Sequence, residues 1–173
     1  MISGAVLCVE WAPNGSQLVS GGGVGDYTVK LWSPSTGECL NTLKGHSNWV
    51  VSVAWSINGL LASGSCDKTV KIWNPSAGEC LKTLEGHSDC AKTVAFSFDG
   101  KVLASGGDDS RIILWDPKKG ERLTEFKGHS DYVNCVHFNP TNPRQLVSGS
   151  DDKTVRLWDV DSGKELKKLE GHR

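Results

Sequence analysis

Apolar and polar positions alternate along this chain in short bursts of four to six residues, and no stretch holds a helical period. The stretch from Val50 to His87 shows the plan. Val50 to Trp55 alternates around small and apolar residues, and Ile57-Asn58-Gly59 supplies a turn. Leu60 to Ser63 predicts a second strand, closed by Gly64-Ser65-Cys66-Asp67-Lys68. Thr69 to Trp73 is a β-branched third strand, broken by Asn74-Pro75-Ser76-Ala77-Gly78. Glu79 to Leu84 forms a fourth and ends at Glu85-Gly86-His87. Ala12-Pro13-Asn14-Gly15, Ser97-Phe98-Asp99-Gly100 and Asn139-Pro140-Thr141-Asn142-Pro143 mark the corresponding first turns elsewhere. The expectation is an all-β chain built from units of four short strands.

These units repeat. Gly-His occurs at Gly45-His46, Gly86-His87, Gly128-His129 and Gly171-His172, at intervals of 41, 42 and 43 residues. Trp32, Trp73, Trp115 and Trp158 recur at the same intervals, each 14 positions before a Gly-His histidine. Asp26, Asp67, Asp109 and Asp152 stand six residues before those tryptophans. Chance does not hold three markers in register four times.

With Ser63-Gly64-Ser65, Ser148-Gly149-Ser150 and Thr154-Val155-Arg156-Leu157-Trp158-Asp159, these markers make the chain resemble the WD-repeat (β-transducin-like) family over essentially its whole length. It departs from the pattern at Ser33 and Asn74, where Asp usually follows Trp, and in a longer turn from Gly21 to Gly25. The resemblance implies a β-propeller of four-stranded antiparallel blades, four WD repeats per chain. Residues 1–173 are expected to form one domain, a half-ring. Its repeats run near 4–44, 45–85, 86–127 and 128–170, and residues 171–173 start or complete a further blade.

Composition narrows the functional classes. Nineteen basic against twenty acidic residues leave a net charge of −1, which argues against nucleic acid and against a polybasic membrane anchor. The apolar run from Ala5 to Val9 is too short for a secretory core or a span. Six cysteines include no C-x-x-C pair. Without a signal peptide the disulfide reading is weak, and they are expected as small buried or half-buried hydrophobes in a reducing, cytoplasmic setting.

By the same resemblance, His46, Ser63, Asp67 and Trp73 converge in a structural hydrogen-bond tetrad. His87, Ser105, Asp109 and Trp115 form a second, and His129, Ser148, Asp152 and Trp158 a third. Such sets mimic a hydrolase triad. A buried indole N–H, a hydroxyl, an imidazole and a carboxylate nevertheless satisfy one another in sequence, and a catalytic serine is not needed in three copies at one register. No catalytic residue, metal or cofactor is expected. Successive histidines fall in different blades without a second ligand at zinc spacing, and the glycine runs lack the Lys and Ser/Thr of a phosphate loop.

Function is then expected where the repeat plan prescribes nothing. Trp49, Cys90 and Tyr132 follow Gly-His-x-x, with Val51, Lys92 and Asn134 two residues later. Cys66, Asp108 and Asp151 precede the tetrad aspartates. The resemblance places these positions around the channel mouth as candidate protein or peptide contacts, and the aromatics Trp49 and Tyr132 either serve as anchors or pack on the next blade. Four units leave two apolar blade faces open. Closure as a homodimeric eight-bladed ring is expected, His172 of one chain completing the set Ser20, Asp26 and Trp32 of the other. The alternatives are a module of a longer WD-repeat protein and a small four-bladed ring.

Overall fold

In a computed structural model, residues 4–173 are described; residues 1–3, part of the expected domain, lie outside them. Sixteen strands form four separate sheets, and no helix occurs among the described residues. Blade 1 contains β1 (Val6–Trp11), β2 (Leu18–Gly22), β3 (Val29–Trp32) and β4 (Cys39–Leu43). Blade 2 contains β5 (Val50–Trp55), β6 (Leu61–Ser65), β7 (Thr69–Asn74) and β8 (Glu79–Glu85). Blade 3 contains β9 (Ala91–Phe96), β10 (Leu103–Gly107), β11 (Ile112–Asp116) and β12 (Glu121–Phe126). Blade 4 contains β13 (Val133–Asn139), β14 (Asn142–Ser150), β15 (Thr154–Asp159) and β16 (Glu165–Glu170). Each sheet is an antiparallel meander in chain order, and the first strands of successive sheets pack beside one another.

The second strand of blade 2 continues past the turn expected at Gly64, because Gly64 pairs with Ser52 and Ser65 with Val50 before the chain reverses. The reversal itself is local chemistry. Asp67 Oδ1 accepts the Thr69 N–H at 2.9 Å, and Lys68 between them takes a left-handed φ of 74°. The same Asx turn recurs at Asp26, Asp109 and Asp152, with Tyr27, Ser110 and Lys153 left-handed.

The core lies between blades rather than within them. Val29, Leu31 and Leu43 of blade 1 pack with Val50, Val53, Leu61 and Trp73 of blade 2. Equivalent clusters join blades 2 and 3 and blades 3 and 4. Close approach demands glycine at Gly64, where a Cβ would meet the Ala91 carbonyl of blade 3 at 2.6 Å. Among the described residues the end faces have no such neighbour. Val53, Val94 and Val136 are buried, whereas the equivalent Val9 of blade 1 is 70% exposed. At the other end Leu43, Leu84 and Phe126 are buried, and Leu169 is 52% exposed.

Candidate functional site: the tetrads and the rim

Each complete tetrad is assembled by one blade and the segment that enters it. Ser63 comes from β6, Asp67 from the turn that follows, Trp73 from β7 and His46 from the link between β4 and β5. Trp73 Nε1 donates to Ser63 Oγ at 2.8 Å, and the hydroxyl lies 2.7 Å from His46 Nε2. His46 Nδ1 lies 2.7 Å from Asp67 Oδ2. An indole can only donate and a carboxylate only accept, so the serine passes its proton toward His46 Nε2 and the imidazole carries its own on Nδ1. Blade 3 repeats the chain with His87, Ser105, Asp109 and Trp115 at 2.8–3.0 Å. Blade 4 repeats it with His129, Ser148, Asp152 and Trp158 at 2.7–2.8 Å.

Burial alone would push Asp67, Asp109 and Asp152 up. Hydrogen bonds from the histidines, from Thr69 and Thr154, and from Arg111 outweigh it and hold all three carboxyls well below the usual range. Burial lowers His129, against the pull of Asp152, and so favours its neutral imidazole. A neutral histidine donating to a carboxylate accounts for both directions.

Two contributors escaped the sequence reading. The N–H after each histidine also reaches the tetrad carboxylate, from Ser47 at 3.1 Å, Ser88 at 2.9 Å and Ser130 at 3.2 Å. The glycine before each histidine lies against the tetrad indole: a Cβ on Gly45, Gly86 or Gly128 would come within 2.9–3.3 Å of the ring. The repeated Gly-His-Ser phrase was the available signal for both.

Blade 1 holds only part of a tetrad. Trp32 Nε1 donates to Ser20 Oγ at 2.8 Å, but no histidine reaches them among the described residues. Lys30 Nζ stands 2.9 Å from Asp26 Oδ2 instead. His172 is exposed, just beyond β16 of blade 4.

The Trp49, Cys90 and Tyr132 carbonyls accept the N–H groups of Cys66, Asp108 and Asp151, so these candidate residues gather on the tetrad-aspartate end of the blades. Trp49 and Tyr132 are 43% and 44% exposed, so neither is consumed by packing. Lys92 pairs with Asp108 at 3.3 Å and lies over the Tyr132 ring, 5.3 Å from its centroid. Asn134 donates to Asp151, and Val51 is half-buried. Cys66 and Cys90 correct the expectation of separate hydrophobes. They are joined by a disulfide from blade 2 to blade 3, and Cys90 is buried. Each cysteine sits at the blade end nearest its neighbour, so two positions 24 residues apart in sequence meet across the interface. Cys39 and Cys80 are exposed rather than buried because they lie on the outermost strands β4 and β8. Cys135 is exposed because no further blade among the described residues covers β13, whereas the equivalent Thr93 is buried and accepts the Val136 N–H of the next blade. Among the described residues no three His, Cys, Asp or Glu side chains converge as metal ligands, and no helix is long and apolar enough to cross a membrane.

Four-stranded meanders packed face to face around their first strands, three of the four bolted by a complete Trp–Ser–His–Asp chain, define a β-propeller assembly. The chain belongs to the WD domain, G-beta repeat family, whose profile matches residues 2–33, 37–74, 78–116 and 120–159. It is similar to Ribosome assembly protein 4 of Saccharomyces cerevisiae, 44% identical over a match covering 31% of this chain and 10% of that protein. It is also similar to a Lissencephaly-1 homolog of Branchiostoma floridae, 38% identical over 31% of this chain and 17% of the relative. Among solved structures, a chain in the crystal structure of a mitotic checkpoint complex superposes with a TM-score of 0.90 at 27% identity. That match covers 96% of this chain and 51% of the other. The chain thus spans a small part of these relatives and about half of the structural neighbour.

Proposed function

We propose that this chain is a non-enzymatic protein-interaction scaffold whose partner contacts lie on the tetrad-aspartate rim. The exposed pair Trp49 and Tyr132, with Lys92 and Asp108 between them, carries the reading. Rigid aromatics beside a paired charge suit a peptide or protein surface, because they contribute area at little conformational cost. Asn134, Val51 and Asp151 extend the same contact region. The structural neighbour was solved within a mitotic checkpoint complex, which favours protein partners.

A hydrolase reading of the tetrads is disfavoured by their geometry. Ser63, Ser105 and Ser148 are buried, and each hydroxyl is already engaged by an indole and an imidazole. A nucleophile must be reached by its substrate. Four free thiols favour a cytoplasmic setting, against which the one bonded pair counts, since such crosslinks are rare there.

Panning a random peptide library on the folded chain tests the rim. Retained peptides should lose binding to Trp49→Ala and Tyr132→Ala proteins that melt as the wild type does. Binding indifferent to both substitutions overturns the assignment.

The scaffold is further proposed to close as a homodimeric eight-bladed ring, since the Val9 face and the Leu169 face are the two halves of an interface that the chain makes three times internally. The small shares of the relatives covered favour a second reading, a module of a longer WD-repeat protein. Light scattering at micromolar concentration separates them: a dimer mass supports the ring, a monomer mass the module.

A further inference from the structure

We propose that the cleft around Ser20, Asp26 and Trp32 is a receptor site for a Gly-His segment, and that its occupant is Gly171-His172-Arg173 of a second copy. The inference rests on the ring reading above and names the residues that would lock the ring.

The cleft measures about 280 Å³ and is lined by Ser20, Gly22, Asp26, Thr28, Lys30 and Trp32, with Gly4 to Val6 at its edge. The three complete tetrads show what the same groups hold elsewhere. On Ser63 the hydroxyl meets both Trp73 and His46, whereas among the described residues Ser20 Oγ meets only the Trp32 side chain. On Asp67 the Oδ2 atom meets His46 Nδ1 and the Ser47 N–H. On Asp26 the Oδ2 atom meets Lys30. Trp73 is covered by the Gly45 backbone, and Trp32 is half-exposed.

Lys30 therefore occupies the place of an imidazole. Its equivalent in blade 2, Lys71, leaves the aspartate free and donates to Thr83 Oγ1 at 2.8 Å. The partner available to Lys30 is Thr42, which it faces across β3 and β4 as Lys71 faces Thr83. Docking moves Lys30 to Thr42 and exchanges one charged donor on Asp26 for two others.

The segment that supplies them is displayed by blade 4. Gly171 follows β16 as Gly45 follows β4, and no atom stands near where its Cβ would be. His172 and Arg173 are exposed. Seated as the Gly45-His46-Ser47 segment is seated, Gly171 covers the Trp32 ring and His172 Nε2 accepts the Ser20 hydroxyl. His172 Nδ1–H and the Arg173 N–H donate to Asp26. Val155, Leu157 and Leu169 of the same copy, half-buried or exposed here, then meet Val9, Leu18 and Trp32 as Val29, Leu31 and Leu43 meet Val53, Leu61 and Trp73.

Sedimentation equilibrium of the 173-residue chain tests this. His172→Ala should raise the dimer Kd roughly 100-fold, about tenfold at each of two interfaces, with unchanged monomer melting. Asp26→Asn, which keeps Oδ1 for Thr28 but presents a donor to the histidine, should do the same. Mixing the two variants should restore association, because the mixed ring has one wholly native interface where each homodimer has none. A dimer that His172→Ala leaves intact but Leu169→Asp dissolves overturns the receptor site and leaves the ring. Failure of the mixture to associate better than either variant also overturns the site. A wild-type monomer mass up to about 100 μM overturns the ring and the site together.

Discussion

Trp115 Nε1 donates to Ser105 Oγ at 2.8 Å, tying β11 to β10 where neither group can reach water. The same hydroxyl serves His87 Nε2 at 2.8 Å. Ser105→Ala strands a buried donor and a buried acceptor at once. The expected loss is about 3 kcal/mol, read as a lower urea midpoint at unchanged m-value.

Acid should unfold the protein in two stages. Burial keeps His129 below its ordinary value, so the unfolded chain takes up a proton that the folded one refuses. Stability from this group is complete above about pH 6.5 and falls as the pH drops through the folded value. The depressed carboxyls of Asp67, Asp109 and Asp152 contribute stability that is complete above about pH 4 and is lost below it. Melting temperature measured from pH 8 to 3 should show a shallow decline followed by a steep one. His129→Gln should flatten the first stage and also weaken the second, since it removes the histidine's hydrogen bond to Asp152.

The Cys66–Cys90 bond closes a loop with a sequence separation of 24 residues across the interface of blades 2 and 3. Chain-entropy arguments give such a crosslink about 3 kcal/mol. Thiol titration of the unfolded, unreduced protein should count four groups, rising to six after reduction, and reduction should lower the melting temperature. Six thiols without reductant would show that the bond does not form in solution.

Leu31 and Leu157 hold the same register in blades 1 and 4, but only Leu31 has a neighbouring blade over it. Leu31→Ala should cost 2–5 kcal/mol in any assembly state, a range of roughly that size being usual for buried leucines. Leu157→Ala should cost well under half as much at concentrations where the chain is a monomer. Denaturant melts at low and high protein concentration make the comparison. Equal costs at low concentration would mean that blade 4 is covered in the monomer.

The sequence by itself determined what repeats locally: four strands per unit, the turns, and the spacing of Gly-His, Asp and Trp that lets three tetrads form. A strand needs only alternation and an Asx turn only an aspartate two residues before its donor, so both are written within a few positions. Only tertiary structure decided what depends on the neighbouring blade. Cys66 and Cys90 carry no spacing signal, and they meet because two blade ends converge at the rim. Lys30 matches Lys71 in register, yet it binds Asp26, which no imidazole reaches among the described residues. Val9 and Val53 are the same residue in the same pattern, one exposed and one buried, because burial belongs to the interface between blades and a repeat pattern is silent on which of its copies stands at the end.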